Sequence, residues 1–593
     1  MTALLQAGPL QGEPERAADP RPRWRWTGLH ALSVAALAPV LVVVGLATAW
    51  NLQGWPGRVN DDEGTYVAEA WAMIFEHHLS HYTYWYDHPP LGWAQLAAYA
   101  WVTDGFARVS SAVMVGREFM WFVTMASCLF LFVLCRRIGL RRVFSAAAVA
   151  LFGLSPLAIY FHRMVSLDNI GTMWLLAALM FAASQRNSLR AAFWSAVCLA
   201  AAVLSKETIA LLTPAVIWVI WQHTDRRTRA WNLGIFGVTY ILLLLGYPLM
   251  AALRGELLPG PRHVSLGWAL WWQFAGRAGS GSPLNQRSGS AALVHFWLGL
   301  DPWLLGIGVA LIPVALFVRR LRPIVFGLLL QVVVPLKGGY LPYFYVTAML
   351  PFAAVLAVGV ADAFWTPLAG GLRTRTRAVA AIGTAAGVGS GRFGRWAWRV
   401  PVLAAAAAFA VLVAPGWARA IDRQSTVRGD IGSLAATAWV ERHVPKSDVV
   451  VVDDYIWPDL KIDGMNPLWM WKVDGDPQVT RTDLPHGWKS IKYIVMTSQA
   501  STMLNQLPTL MQAMAHSVVV ASFTQGVSVR EVLPNGPPSS TPTTSSSASS
   551  VPPGSAWAES LGGGVHQPLT PGPIFACFTT GPWDHTTPKS AIG

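Results

Sequence analysis

Three adjacent carboxylates, Asp61, Asp62 and Glu63, stand in the stretch NDDEGTY at 60–66. A carboxylate can take the proton of a hydroxyl nucleophile or hold a divalent cation. Acids are equally at home on a solvated helix start, where the dipole favours them. Further on, YWYDHPPLGW at 84–93 offers His88, able to orient a substrate or a carboxylate, beside a proline pair that stops one helix and starts another. FHRMVSLDN at 161–169 carries Arg163 and Asp168. The planar guanidinium suits phosphate oxygens, which it meets with paired hydrogen bonds. LSKETI contributes Lys206 beside Glu207, and PLKGGYLPYFY contributes Lys337, Tyr340 and Tyr343. For each lysine, snorkelling from a helix end is the ordinary account. His77, His78, His81 and His88 are metal-ligand types near the acids, but no tight ligand spacing joins them. A divalent cation is therefore allowed, and no cofactor is demanded.

The elements that must hold these residues belong to a membrane. Of 593 residues, 53% are hydrophobic and 13% charged, a balance suited to a bilayer. The 30 Trp residues fit belts at the headgroup level. The net charge of +13 is dispersed in short clusters between apolar runs, which argues against a nucleic-acid-binding face. Cys128, Cys135 and Cys198 lie within apolar runs and Cys577 near the C-terminus, so neither a disulfide framework nor a cysteine zinc site is indicated.

About eleven segments meet the requirement of roughly 20 apolar residues for a span, several of them short. Their cores lie near 29–50, 118–135, 143–161, 170–184, 191–205, 208–222, 231–252, 303–318, 323–336, 341–364 and 400–416. Every second connection is basic: RRIGLRR at 136–142, Arg186 with Arg190, RRTR at 226–229, RRLR at 319–322, and Arg373 through Arg399. Basic loops stay cytoplasmic, which places the N-terminus inside and all the chemical residues above on the outer face. The expected fold is a multi-pass α-helical membrane protein with a small C-terminal extracytoplasmic α/β domain. Residues 1–27 form a cytoplasmic segment and 28–417 the transmembrane unit, with 51–117 its first outer loop carrying helices along the membrane surface. Residues 418–533 alternate strand-like runs, VVVVDDY at 449–455 and KYIVMTS at 492–498, with helical ones. The stretch 534–593, rich in Pro, Ser, Thr and Gly, has the composition of a disordered tail.

Acids, a histidine, an arginine and two lysines, each beside a different span, thus share one membrane face. Taken in order, these motifs resemble a known group. NDDEGTY is similar to the Asp-Glu motif in the first outer loop of the protein O-mannosyltransferase and lipid A aminoarabinose transferase relatives, within the C-type glycosyltransferase superfamily. DHPPLGW resembles their (Lys or His)-Pro-Pro-Leu element, FHRMVSLD their Arg-containing second outer loop, and LKGGYLPYFYVTAMLP their Lys-Leu-Pro-x-Tyr-x-Leu-Pro segment. The likeness spans about residues 29–364.

The resemblance implies transfer of a sugar from a polyprenyl-phosphate carrier to an acceptor hydroxyl of a protein, lipid or glycan, usually with inversion. It implies Asp62 as the base with Glu63 in support, and Arg163, Lys206 and Lys337 as partners of the carrier phosphate. His88, Asp168 and Tyr340 complete the substrate side. Asp61 makes the acids a triplet and leaves the base open between Asp61 and Asp62, and the GGY stretch at 338–340 departs from the pattern and puts the role of Tyr340 in question. Two other readings stay open: a transporter or flippase for a lipid-linked sugar, which calls for charges near mid-bilayer, and a non-catalytic scaffold, which leaves these residues without a role.

Overall fold

A computed structural model describes residues 24–536 except 55–59, 83–85, 185–187, 261–262, 278, 366–398 and 477. All but the last four residues of the expected N-terminal segment, all but the end of the basic stretch at 373–399, and all but the first residues of the tail lie outside the described residues. The first part of the chain runs through α1 (Trp24–Ala49), α2 (Asp61–Phe75), α3 (Leu91–Val102), α4 (Ala112–Arg137), α5 (Arg142–Leu154), α6 (Pro156–His162), α7 (Leu167–Ala182) and α8 (Leu189–Ser205). The bundle continues with α9 (Thr213–His223), α10 (Arg229–Leu253), α11 (Gly289–Leu300), α12 (Pro302–Ala310), α13 (Arg322–Leu336) and α14 (Leu350–Trp365).

Among the described residues, five helical stretches are long and apolar enough to cross a membrane, or up to seven when two bent pairs are each taken as one span. The expected segments at 170–184 and 191–205 are α7 and α8, of 16 and 17 residues. The segment expected at 143–161 is broken: Pro156 opens α6 at a bend of 65°, and Ser155 caps it by accepting the Ala158 N–H. A second break, of 107°, separates α11 from α12 at Asp301. The two corners meet. Asp301 Oδ2 accepts from the Ser155 hydroxyl at 2.6 Å, while Oδ1 accepts from Trp303 N at 2.9 Å and the Trp417 indole at 3.1 Å. At another corner, Asp362 of α14 receives Arg141 and Arg320, clasping the connections that precede α5 and α13.

The C-terminal part holds a five-stranded sheet in the order β2-β1-β3-β5-β4, with β1 Val449–Val452, β2 Asn466–Trp469, β3 Tyr493–Met496, β4 Ser517–Ser522 and β5 Ser528–Val532. β2, β1 and β3 run parallel, whereas β5 pairs antiparallel with both β3 and β4. The buried valines of β1 belong to the same apolar cluster as Tyr66, Val67 and Trp71 of α2 and Trp93 of α3. The sheet is therefore packed on the segment that carries the acidic triplet.

Asp301 holds two helix breaks with one carboxylate, so Asp301→Ala should cost about 1–3 kcal/mol through the buried donors it abandons. A lower unfolding midpoint in detergent, with Asp301→Asn milder, is the expected result; an unchanged midpoint would show that the corner holds without it.

Candidate active site

Successive helical residues point about 100° apart, so three acids in the first turn of α2 cannot share one partner. Asn60 starts the helix, its side chain accepting the Asp62 N–H at 2.9 Å. The third acid turns into the bundle. Glu63 is fully buried and makes a two-pronged ion pair with Arg117 of α4, Nε to Oε1 at 2.9 Å and Nη2 to Oε2 at 2.8 Å. Its Oε1 also accepts from Val165 N at 3.0 Å, and Arg117 donates to the carbonyls of Leu52 and Gln53. Both groups are committed to each other and to the backbone.

The first acid turns towards the sheet. Asp61 Oδ1 accepts from Asp454 N at 3.1 Å. Burial, then the carboxylates of Asp454, Asp453 and Asp62, push its carboxyl well above the usual range, against the pull of that N–H. Between them stands Gly64, where a β-carbon would overlap the peptide joining Asp454 to Tyr455.

The middle acid faces cations. Burial raises the Asp62 carboxyl, while Lys206 and Arg277 pull it back and Asp168 pushes with the burial. His88 Nε2 lies 3.0 Å from Lys206 Nζ, and its Nδ1 lies 3.0 Å from Glu207 Oε2. Lys206 Nζ is also 3.7 Å from Asp168 Oδ2. The chain reaches this arrangement by breaking helices. α8 ends at Lys206, an extended residue, and a 3-10 helix begins at Glu207. Ser166 caps α7 so that Asp168 stands in its first turn. Pro90 precedes α3, leaving His88 on the approach to it.

The other expected site residues have partners or surroundings of their own. Arg163 is buried, and its guanidinium donates to the carbonyls of Thr48 at 2.9 Å, Ala47 at 2.6 Å and Trp50. It satisfies the carbonyls at the end of α1 through Nε and Nη2. Lys337 is exposed beyond α13. Tyr340 lies under Arg277, whose guanidinium carbon sits 3.4 Å from the ring centroid. The loop of Arg277 is tied to the GGY stretch by Ser280 N to Gly339 O at 3.2 Å and Leu341 N to Ser280 Oγ at 3.2 Å.

Sequence reasoning missed Arg277, Arg117 and Asp454. Arg277 caps a short helical stretch, Leu266–Trp271 continued by Trp272–Gly276, in a connection where nothing in its neighbours marks it. Arg117 reads as the basic edge of a span, and Asp454 as the end of a strand. A hydroxyl nucleophile beside Asp62 can lose its proton to that carboxylate, and an anion can be met by Lys206 and Arg277. Among the described residues, no group of three or more His, Cys, Asp and Glu is arranged to hold a metal ion. His81 instead bridges Asp454 Oδ1 at 3.1 Å and Glu69 Oε1 at 3.8 Å.

Glu63→Ala would leave the Arg117 guanidinium buried and unpaired, so a loss of about 3–5 kcal/mol is expected. Arg163→Ala should act in the same way, by lowering the unfolding midpoint in detergent rather than by weakening binding of a phosphate-bearing lipid. A selective loss of lipid affinity in a normally stable Arg163→Ala protein would reverse this assignment.

Residues 87–250 match the family described as dolichyl-phosphate-mannose-protein mannosyltransferase. No curated protein matches the chain in sequence. ArnT from Cupriavidus metallidurans in the apo state superimposes with a TM-score of 0.52 at 17% identity, covering 85% of this chain and 98% of that one. The same protein bound to undecaprenyl phosphate gives 0.51 at 17% identity, covering 86% and 99%. The chain resembles the C-type glycosyltransferases both in its sequence over residues 87–250 and in the fold it shares with ArnT.

Proposed function

We propose that this protein transfers a sugar from a polyprenyl-phosphate carrier to the hydroxyl of a glycan, lipid or protein acceptor, in one inverting displacement on the outer face of the membrane. The observation that carries the reading is the surrounding of Asp62, a half-buried carboxylate near Lys206, His88 and Arg277. The undecaprenyl phosphate of the ArnT structure supports the class of carrier. The alternation of basic loops supports a cytoplasmic N-terminus, about eleven crossings and an extracytoplasmic sheet.

In this mechanism the acceptor oxygen attacks the anomeric carbon while Asp62 takes its proton. The bond from that carbon to the phosphate oxygen breaks on the opposite side, and the carrier phosphate departs with the electron pair. Lys206 and Arg277 meet the charge that develops on it. Asp62 is favoured over Asp61 as base because Asp61 already accepts from the Asp454 N–H and is surrounded by carboxylates. His88 and Asp168 hold Lys206, and Tyr340 supports Arg277 from below. Lys337 remains available to the carrier at the rim. A transporter would place its charges near mid-bilayer; here they lie at helix ends.

Asp62→Asn keeps shape and hydrogen bonding but cannot take a proton, so turnover should fall by roughly 10² to 10⁴ while donor binding survives. Arg277→Ala deletes a charge-assisted contact worth about 1.5–3 kcal/mol, or about one to two decades in donor affinity. Donor binding and transfer measured separately on the purified protein would tell the two defects apart. Because burial raises the Asp62 carboxyl, transfer by the wild type should fall as pH drops through that raised value, where the base becomes protonated. Near-normal turnover in Asp62→Asn would refute the mechanism.

A further inference from the structure

Glu207 touches neither the reacting atoms of the proposed displacement nor Asp62, yet it lies 3.0 Å from His88 Nδ1. On the far side of the same ring, Nε2 lies 3.0 Å from Lys206 Nζ. A lysine ammonium has three donors and no acceptor, and a neutral imidazole has one nitrogen that donates and one that accepts. The Lys206 contact is a hydrogen bond only if Nε2 carries the lone pair. The ring proton must then sit on Nδ1, where the Glu207 carboxylate, which only accepts, receives it. The polarity of the chain Lys206 to His88 to Glu207 is therefore set at its far end.

We propose that Glu207 is a positioning residue: it fixes the His88 tautomer and through it aims the Lys206 ammonium at the donor phosphate. This deepens the proposed function and rests on Lys206 as a phosphate partner. The local backbone supports it. Lys206 is extended, with φ −150° and ψ 111°, and Glu207 opens the following 3-10 helix, so the two side chains approach the imidazole from a single break in the chain. Tyr247 donates to the His88 carbonyl at 3.2 Å, and the Tyr66 ring stands 6.2 Å from the imidazole, holding the residue in place. Asp168, 3.7 Å from Nζ, supplies the second contact that orients the ammonium.

A double-mutant cycle on the full-length protein in detergent tests the idea, read by the affinity for undecaprenyl phosphate and by kcat and KM for transfer. A glutamine at 207 can offer its amide N–H to Nδ1, which permits the other tautomer and turns an N–H towards Lys206. Glu207→Gln should therefore weaken undecaprenyl phosphate binding by about 10- to 100-fold while His88 is present. In His88→Gln the side-chain oxygen can accept from Lys206 and the amide can donate to residue 207, with no tautomer to choose. On that background Glu207→Gln should cost at most about threefold. An equal loss on both backgrounds would mean that Glu207 serves only the local fold, and would overturn the proposal while leaving the transferase reading intact. Failure of the wild type to bind undecaprenyl phosphate would instead sink that reading and the proposal with it. Should Glu207→Gln not yield folded protein, His88→Asn decides: its shorter amide reaches Glu207 but not Lys206, so it should bind as weakly as His88→Ala. Rescue by Asn would overturn the proposal.

Discussion

The buried pair of Glu63 and Arg117 is the constraint on which the candidate site depends. With its bonds to Val165 N and to the carbonyls of Leu52 and Gln53, it ties together the exit of α1, the start of α2, the start of α4 and the approach to α7. Such a pair adds little net stability over a well-packed apolar equivalent, but losing one partner is expensive. Its effect is to admit one relative placement of these segments. Because Glu63 adjoins Asp62 on the helix, anchoring the first sets the direction of the second. Asp62 is then left on the side where α7, α8 and the Arg277 loop present their charges.

Those charges arise from breaks in helices, which carry a cost inside a bilayer because every freed backbone group needs a partner. Here the partners are visible. Ser166 accepts the Asp168 N–H at 3.1 Å, Lys206 N still reaches Ala202 O at 2.9 Å, and Arg163 collects the last carbonyls of α1. Arg163 thus lets the chain leave the helix beside the site. The same economy explains Asp301, whose one carboxylate satisfies donors from two bent helices and from Trp417.

What was legible in the sequence follows from this. Motifs that sit on a helix start, as NDDEGTY does, or at a helix end, as LSKETI does, announce their place, and Asp62, His88, Asp168 and Lys206 do converge. The carbonyl contacts of Arg163 could not be foreseen, because its type suits a phosphate and a carbonyl cage equally and only the three-dimensional position of the end of α1 brings the carbonyls to it. Arg277 was invisible because its place at the end of a short helical stretch is set by the contacts of Ser280 to the GGY stretch beyond it, and such contacts leave no periodic trace. The same loop contact gives Tyr340 its place, beneath a guanidinium that the local sequence does not reveal. The division of labour within the acidic triplet was likewise out of reach, since helical geometry separates the three side chains but does not say what each will meet.

The C-terminal sheet is the remaining wall of the site. Gly64 lets the Asp454–Tyr455 peptide lie directly on the first turn of α2, and Asp61 accepts from the amide that arrives there. Around this seat, Trp71 meets Trp457 edge to face at 5.5 Å, the Tyr82 hydroxyl accepts from Trp469 N at 2.7 Å, and Ala112 N, at the start of α4, donates to Asp459 at 2.6 Å. These contacts come from both ends of the loop that carries the acids. Burial and the surrounding carboxylates raise Asp61 and Glu69 well above the usual range, so the seat brings together acids that repel one another when charged. His81 lies between Glu69 and Asp454, and buried Lys472 opposes that repulsion. The sheet therefore does not hang from the bundle as an independent module. It closes one side of α2 while the Glu63–Arg117 pair closes the other, and the direction of Asp62 is set between them.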